Sequence, residues 1–479
     1  MVSDTTQSDF ETRLEQVLMA ALPFCQKLVT AERLSGGASQ ETYRLRIETP
    51  EGGQRQLALR RAPGGVVSEV AEGPPGLATE ALLMQSARQA GVPEPEVFYV
   101  LKEADGLGDG FVMEWLEGEA LGARINRSPT FDAIRPRLAY ECGKILARIH
   151  AIDLSATGLD TRLSRMTPEQ FIRQTWERYQ GLDTPQPMID YTARWLLDNQ
   201  PEDHRMALVH NDFRNGNFLL QADGISAVLD WEVAHIGDPM RDLGWICTNS
   251  WRFGGEQPVG GFGTYEDLFR GYEEISGVAV DPSHVKFWEV FGSFWWAVGC
   301  LGMAEHYRSG PDQTVERPAI GRRSSECQVD CVNLLLPGTV QLVQSDERLS
   351  TLDMPRVDEL LVSVRDFLRE DLMAATEGRL NFLSRVASNS LDIVLRQWQL
   401  GAQARERERM ALSDFYGKRT ADSDLESMKW DLVRSLRDGT QSLADEKLKT
   451  YLRNAVVNQI AIDQPRYSGY IRAINETQS

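Results

Sequence analysis

The run His210-Asn211-Asp212-Phe213-Arg214-Asn215-Gly216-Asn217, followed after a short hairpin by Asp230-Trp231-Glu232, spaces three oxygen-bearing side chains in a way that suits phosphoryl transfer. That chemistry needs a carboxylate to orient an attacking hydroxyl and accept its proton. It also needs hard oxygen ligands for the magnesium that neutralises phosphate. Asp212 is placed for the first role, and Asn217 and Asp230 for the second. Taken alone, the segment also reads as a polar turn in which Asp212, Asn215 and Asn217 cap the backbone before a hairpin.

The residues upstream favour the catalytic reading. The step from Asp212 to Asn217 matches the Asp-x-x-x-x-Asn element of kinase catalytic loops, and a strand-end Asp follows where the second metal ligand belongs. Leu34-Ser35-Gly36-Gly37-Ala38-Ser39 joins two strands. The backbone at Ser35, Gly36, Gly37 and Ser39 can therefore approach phosphate without Cβ clashes, or simply turn a hairpin. Leu57-Ala58-Leu59-Arg60 has the pattern of a kinase Val-Ala-Ile-Lys strand with Arg in place of Lys, and Arg61 beside it competes for the same role. Glu80 lies on the next helix, where the ion-pair partner of that cation would sit. Met113-Glu114-Trp115-Leu116 ends a strand, so backbone groups at Glu114 and Leu116 can meet an adenine ring.

These groups must be positioned by a definite order of elements. Two strand-like runs flank the glycine turn within 28–48, and a third covers 54–61. A helix at 77–90 and strands at 96–101 and 109–115 complete a small antiparallel sheet with one helix. Residues 131–200 have helical periodicity, 206–230 return to short strands, and helices resume to about 336. The pattern lapses over 338–356, and 357–479 again shows amphipathic helices without His or Cys, a bundle expected to pack on itself.

Composition sets the outer limits. A chain of 479 residues with 42% hydrophobic and 25% charged residues is an ordinary globular protein of more than one domain. Its 51 basic and 70 acidic residues give a net charge of −19, which opposes general binding to nucleic acid or to an anionic membrane. The six cysteines form no Cys-x-x-Cys pair and read as buried reduced thiols, and the acidic start lacks an apolar signal core, so a cytoplasmic protein is expected. The apolar run 287–304 carries Glu289 and lacks flanking basic anchors, and reads as a buried helix rather than a membrane span.

The segments LSGGASQETYRL at 34–45, LALRR at 57–61, FVMEWLEG at 111–118, VHNDFRNGNFLL at 209–220 and AVLDWEVAHIGDPMRDLGW at 227–245 resemble the aminoglycoside phosphotransferase/choline kinase superfamily. They are most similar to the branch found as a kinase domain on some acyl-CoA dehydrogenases. The resemblance covers roughly 20–337 and implies an α+β, bilobal protein-kinase-like fold. Its N-lobe would span 1–117 and its helical C-lobe 118–337, with a linker at 338–356 and an all-α bundle at 357–479. It implies an ATP- or GTP-using, magnesium-dependent kinase of a small-molecule hydroxyl. Asp212 is then the implied base and Asn217 and Asp230 the implied magnesium ligands. Asn211 stands where the family usually has Gly, a replacement that is tolerable if the backbone there lies outside the left-handed region. The bundle resembles an uncharacterised helical domain and would serve a homodimer or a protein partner.

His210, Asp238 and Asp242 read as scaffold, with Asp242 bonding the catalytic loop. Arg214 and Arg241 are candidates for an anionic group or for surface ion pairs. Six of the 11 tryptophans fall between 231 and 296, which suggests an aromatic-lined acceptor site for an apolar alcohol such as a hydroxyacyl thioester or a phenol. Choline- and aminoglycoside-type acceptors, and a nucleotide-binding pseudokinase acting through the bundle, are the alternatives.

Overall fold

Tyr43, Leu45 and Ile47 alternate inward along one strand, and this alternation organises the N-terminal sheet. The computed structural model describes residues 4–34, 40–65, 75–202, 205–345, 354–417 and 424–476. Strands β1 (Lys27–Arg33), β2 (Glu41–Glu48), β3 (Gln54–Arg61), β4 (Val97–Val100) and β5 (Gly110–Glu114) form an antiparallel sheet in the order β1-β2-β3-β5-β4. Helix Leu77–Gln89 follows β3, as its periodicity predicts. A second helix, Asp4–Ala21, was not anticipated. It buries Leu14 and Leu18 in the same cluster as Leu28, Leu45, Leu57 and Val112. Its apolar stripe is narrow, so the polar run around it hid the periodicity.

Two compact units divide the chain. The first comprises Met1–Thr167, Asp203–Cys247 and Trp251–Val285. Beyond the sheet it holds β6 (Ala207–Val209), β7 (Phe218–Leu220), β8 (Ile225–Val228) and β9 (His235–Gly237), with β7 paired to β8 and β6 to β9. The strand β9 lies beyond the short strands read over 206–230. Helices Leu138–His150 and Tyr265–Ser276 cross closely. A Cβ at Gly143 would lie 2.1 Å from the Leu268 carbonyl oxygen, and one at Gly271 would lie 2.0 Å from that of Tyr140.

The second unit comprises Pro168–Glu202, Thr248–Ser250 and Lys286–Ser479. Its core joins Met188, Tyr191, Val329, Val332, Leu336 and Val340 to Leu412, Met428, Leu432, Leu452, Val457 and Ile460. The helices after 357 therefore share one core with residues before 338, which differs from the expectation of a bundle packed on itself. An amphipathic stripe shows that a helix buries a face, but not what it buries that face against. Fully buried Asp190 accepts hydrogen bonds from Trp176 Nε1 at 2.8 Å, Tyr179 Oη at 3.0 Å and Arg437 Nε at 2.8 Å, across the same junction. In the helix Pro282–Ser309, Phe287, Trp288, Phe291 and Phe294 are buried. No helix among the described residues is long and apolar enough to cross a membrane. All six cysteines are buried and none forms a disulfide among the described residues.

Candidate active site

The register of the β7–β8 hairpin assembles the site. Phe218 pairs with Val228, and the Leu229 amide donates to the Asn217 carbonyl at 2.8 Å, so Asn217 and Asp230 are brought side by side. The loop from His210 to Gly216 leaves β6 and is pinned from below. Phe213 is fully buried, and Asn215 Nδ2 donates to the Gly260 carbonyl at 2.8 Å. Asn217 Nδ2 donates to the Asp212 backbone oxygen at 3.1 Å and also bonds its carboxylate. That orientation turns the Asn217 amide oxygen away from Asp212.

Two further donors converge on Asp212. Arg214 Nε and Trp245 Nε1 reach its Oδ1 at 3.0 and 2.8 Å. The Arg214 guanidinium stacks over Trp251 at 4.2 Å. Trp245 was not singled out for this role. It lies three positions after Asp242 on helix Met240–Cys247, so the two share a face, and that spacing was the available signal. Asp242 accepts from the amides of His210 at 2.9 Å and Asn211 at 2.7 Å, and from His150 Nε2 at 3.0 Å. Burial would raise its pKa, but those hydrogen bonds and the nearby imidazoles hold it below the usual range. Asp238 caps the same helix by accepting from the Met240 amide at 3.0 Å.

His210 is fully buried against Trp231, with ring centroids 4.5 Å apart. The Asp212 amide donates to its Nδ1 at 3.2 Å, so that nitrogen carries no proton. Burial lowers its pKa despite the pull of Asp242, Asp212 and Asp230, and the neutral ring acts as a spacer under the loop. Arg241 is not a surface cation. It is fully buried over the Trp245 ring at 4.5 Å, and burial lowers its pKa to about 9 against the pull of Asp242 and Asp212. Trp231, Trp245 and Trp288 are likewise buried, and Trp245 reaches Asp212.

The β3 alternation separates the two arginines. Arg61 pairs with Glu41 at 2.8 Å and stacks over Phe10 at 4.3 Å. Arg60 points the other way, 3.2 Å from Glu80 and 2.9 Å from Asp230. Burial lowers the Arg60 pKa, and the Glu80, Asp230 and Glu232 carboxylates more than offset that. Burial pushes Glu80 up to about 7 despite Arg60. Glu114 ends β5 with its amide donating to the Glu96 carbonyl at 2.8 Å, and residues 115–118, Leu116 among them, follow without regular structure. Ser35, Gly36, Gly37 and Ser39 lie outside the described residues.

Asn211 adopts φ +66°, and Asp230 adopts φ +70°. The backbone at Asn211 is therefore left-handed, and the condition under which Asn replaces Gly without strain is not met. Asn is the side chain after Gly that best tolerates this region, and here its Nδ2 also donates to the Val233 carbonyl at 3.3 Å. Asn211→Val should cost about 1–2 kcal/mol, while Asn211→Gly should stay close to the parent in chemical denaturation. Equal midpoints for both variants would show that the strain is not felt.

With this geometry in hand, comparison with known proteins is decisive at one point. The sequence model of the phosphotransferase enzyme family (APH) matches residues 30–278, more than half of the chain, and takes in Arg60, Glu80, Asp212, Asn217 and Asp230. The chain belongs to this phosphotransferase family. Residues 374–467 match a family described as a domain of unknown function. Among relatives, Acyl-CoA dehydrogenase family member 10 of Mus musculus is 31% identical over 44% of this chain and 19% of its own length. Acyl-CoA dehydrogenase family member 11 of Gallus gallus is 26% identical over 76% of this chain and 48% of its own. The chain thus spans at most about half the length of these curated relatives. A Ralstonia eutropha structure assigned as an aminoglycoside phosphotransferase superposes with a TM-score of 0.55 at 21% identity, covering 67% of this chain and 97% of that one. The phosphotransferase fold, an antiparallel sheet followed by a helical region, is shared with it.

Proposed function

We propose that the chain is an ATP-dependent phosphotransferase acting on the hydroxyl of a small molecule. The convergence of Arg214, Trp245 and Asn217 on one carboxylate, Asp212, beside Asp230 carries this reading. A carboxylate held by three donors presents its remaining lone pairs in a fixed direction, as a base that orients an incoming hydroxyl must. Asn217 Oδ1 and the outward oxygen of Asp230, whose side chain is 35% exposed, form a hard oxygen pair that fits a magnesium ion. Such an ion would neutralise phosphate oxygens there. Arg60, buttressed by Glu80, adds a fixed positive charge beside Asp230. Ser35, Gly36, Gly37 and Ser39 are proposed to cover the phosphates, and the backbone at Glu114 and Leu116 to meet the base.

The test is incubation of the full chain with magnesium and ATP or GTP against a panel of alcohols: a hydroxyacyl thioester, a phenol, choline and an aminoglycoside. Phosphomonoester formation is read by ³¹P NMR. Nucleotide binding with no transfer to any acceptor would replace the enzyme by a nucleotide-binding scaffold. A finer expectation concerns the metal pair. Asp230→Ala should weaken magnesium-dependent ATP binding by about tenfold or more, the scale of one charged interaction, and by more than Asn217→Ala does. A carboxylate offers the ion a full charge and an amide only a dipole. Calorimetric titration showing equal, negligible losses would move the metal site elsewhere.

A further inference from the structure

The second unit contains a cavity of about 670 Å³, within the range of small-molecule sites. One wall is a single face of helix Gly378–Tyr416. There Gln397, Gly401, Ala404, Glu408, Ala411 and Phe415 recur at alternating steps of four and three. That is the spacing of a packed helical seam, where large apolar side chains normally interdigitate. Gly401, Ala404 and Ala411 leave the seam open instead, and Ala455 of helix Glu446–Asp463 does the same from the facing wall.

The floor is polar and built. Tyr451, 5% exposed, donates to Glu408 Oε1 at 2.9 Å, and Lys429 Nζ lies 3.2 Å from the same oxygen. These three residues also wall a smaller cavity of about 190 Å³, so they stand between the two spaces. Lys429 offsets the Glu408 charge. Arg405 and Arg407 line the same cavity, and among the described residues neither has a carboxylate within ion-pair distance. Arg407 is held by the Leu342 carbonyl, at 3.1 Å, and by Gln341. The lining carries four cations against three carboxylates, on a chain whose net charge is −19. Local excess of positive charge around an apolar space selects an anion with an apolar body.

We propose that this cavity binds an amphipathic organic anion, its apolar part against Ala404, Ala411 and Ala455 and its acidic group at Arg405 and Arg407. The site lies in helices that carry none of the phosphotransfer groups, so the proposal stands or falls apart from the kinase reading. The probes are dodecanoate, dodecanol and dodecyltrimethylammonium, titrated calorimetrically into the full chain. Dodecanoate should bind at one site per chain and about tenfold or more tighter than the other two. Arg405→Glu combined with Arg407→Glu should remove that preference while leaving dodecanol affinity unchanged. Ala455→Trp, which fills the space, should weaken dodecanoate and dodecanol alike, and a thermal melt at the parental midpoint would show that both variants are folded. The proposal is overturned by equal affinity for all three probes, by binding at several sites per chain, by no binding at all, or by Ala455→Trp binding as the parent does.

Discussion

Asp212→Ala should lower turnover by about 10²–10⁴-fold, the usual contribution of a positioned general base, while ATP affinity stays within a few-fold of the parent. The two effects separate because of how Asn217 is held. Its Nδ2 also donates to the backbone oxygen of residue 212, at 3.1 Å, and that oxygen survives the substitution. The amide therefore keeps its oxygen turned toward the proposed metal position. Asp212→Asn is the less clean variant. Arg214, Trp245 and Asn217 all donate to the carboxylate, so either orientation of an amide at 212 sets an NH₂ group against a donor. We expect Asp212→Asn to lose turnover and also to weaken magnesium-dependent nucleotide binding, with a lower melting temperature than Asp212→Ala. Steady-state rates with any accepted alcohol, paired with nucleotide titration, separate these outcomes. Parental turnover in Asp212→Ala would reduce the loop to a structural turn.

Much of this site was legible because its residues sit at strand ends, where short-range patterns are strict. The alternation of β3 alone decides that Arg60 and Arg61 face opposite ways, and the hairpin between Asn217 and Asp230 brings two distant positions together through one ladder. The partners that hold Asp212 were less visible. Trp245 is one of 11 tryptophans, and a side chain that fills core space looks in sequence like one that donates a hydrogen bond at the edge of the core. Arg241 carried a similar ambiguity: an arginine buried beneath an indole has the same letter as one on the surface. The left-handed backbone at Asn211 is set by Asp242, 31 positions away, which takes the Asn211 amide at 2.7 Å. No local pattern reports such a contact.

The division of the chain behind the catalytic region was harder to read, and it yields the largest stability effect. A chain ending at residue 346 keeps Arg60, Glu80, Asp212, Asn217 and Asp230, yet we expect it to be insoluble when expressed alone. It would expose Met188, Tyr191, Val329, Val332 and Leu336, which now pack against Leu412, Met428, Leu432 and Val457. Each side chain of this size returned to water costs about 1.5–3 kcal/mol, so a handful exceeds the margin by which most domains are folded. The same cut removes Arg437 from the fully buried carboxylate of Asp190. Breaking a buried pair by deleting one partner typically costs about 3–5 kcal/mol more. It also strips Tyr467 Oη from Asp330 Oδ2, a contact of 2.6 Å. Co-expression with residues 347–479 should restore solubility, because the second piece brings back both the apolar face and the cation. Gel filtration and circular dichroism of each piece, alone and together, give the answer. A soluble, folded 1–346 fragment that binds ATP by itself would show that the helices before 338 can close their core without those after 357.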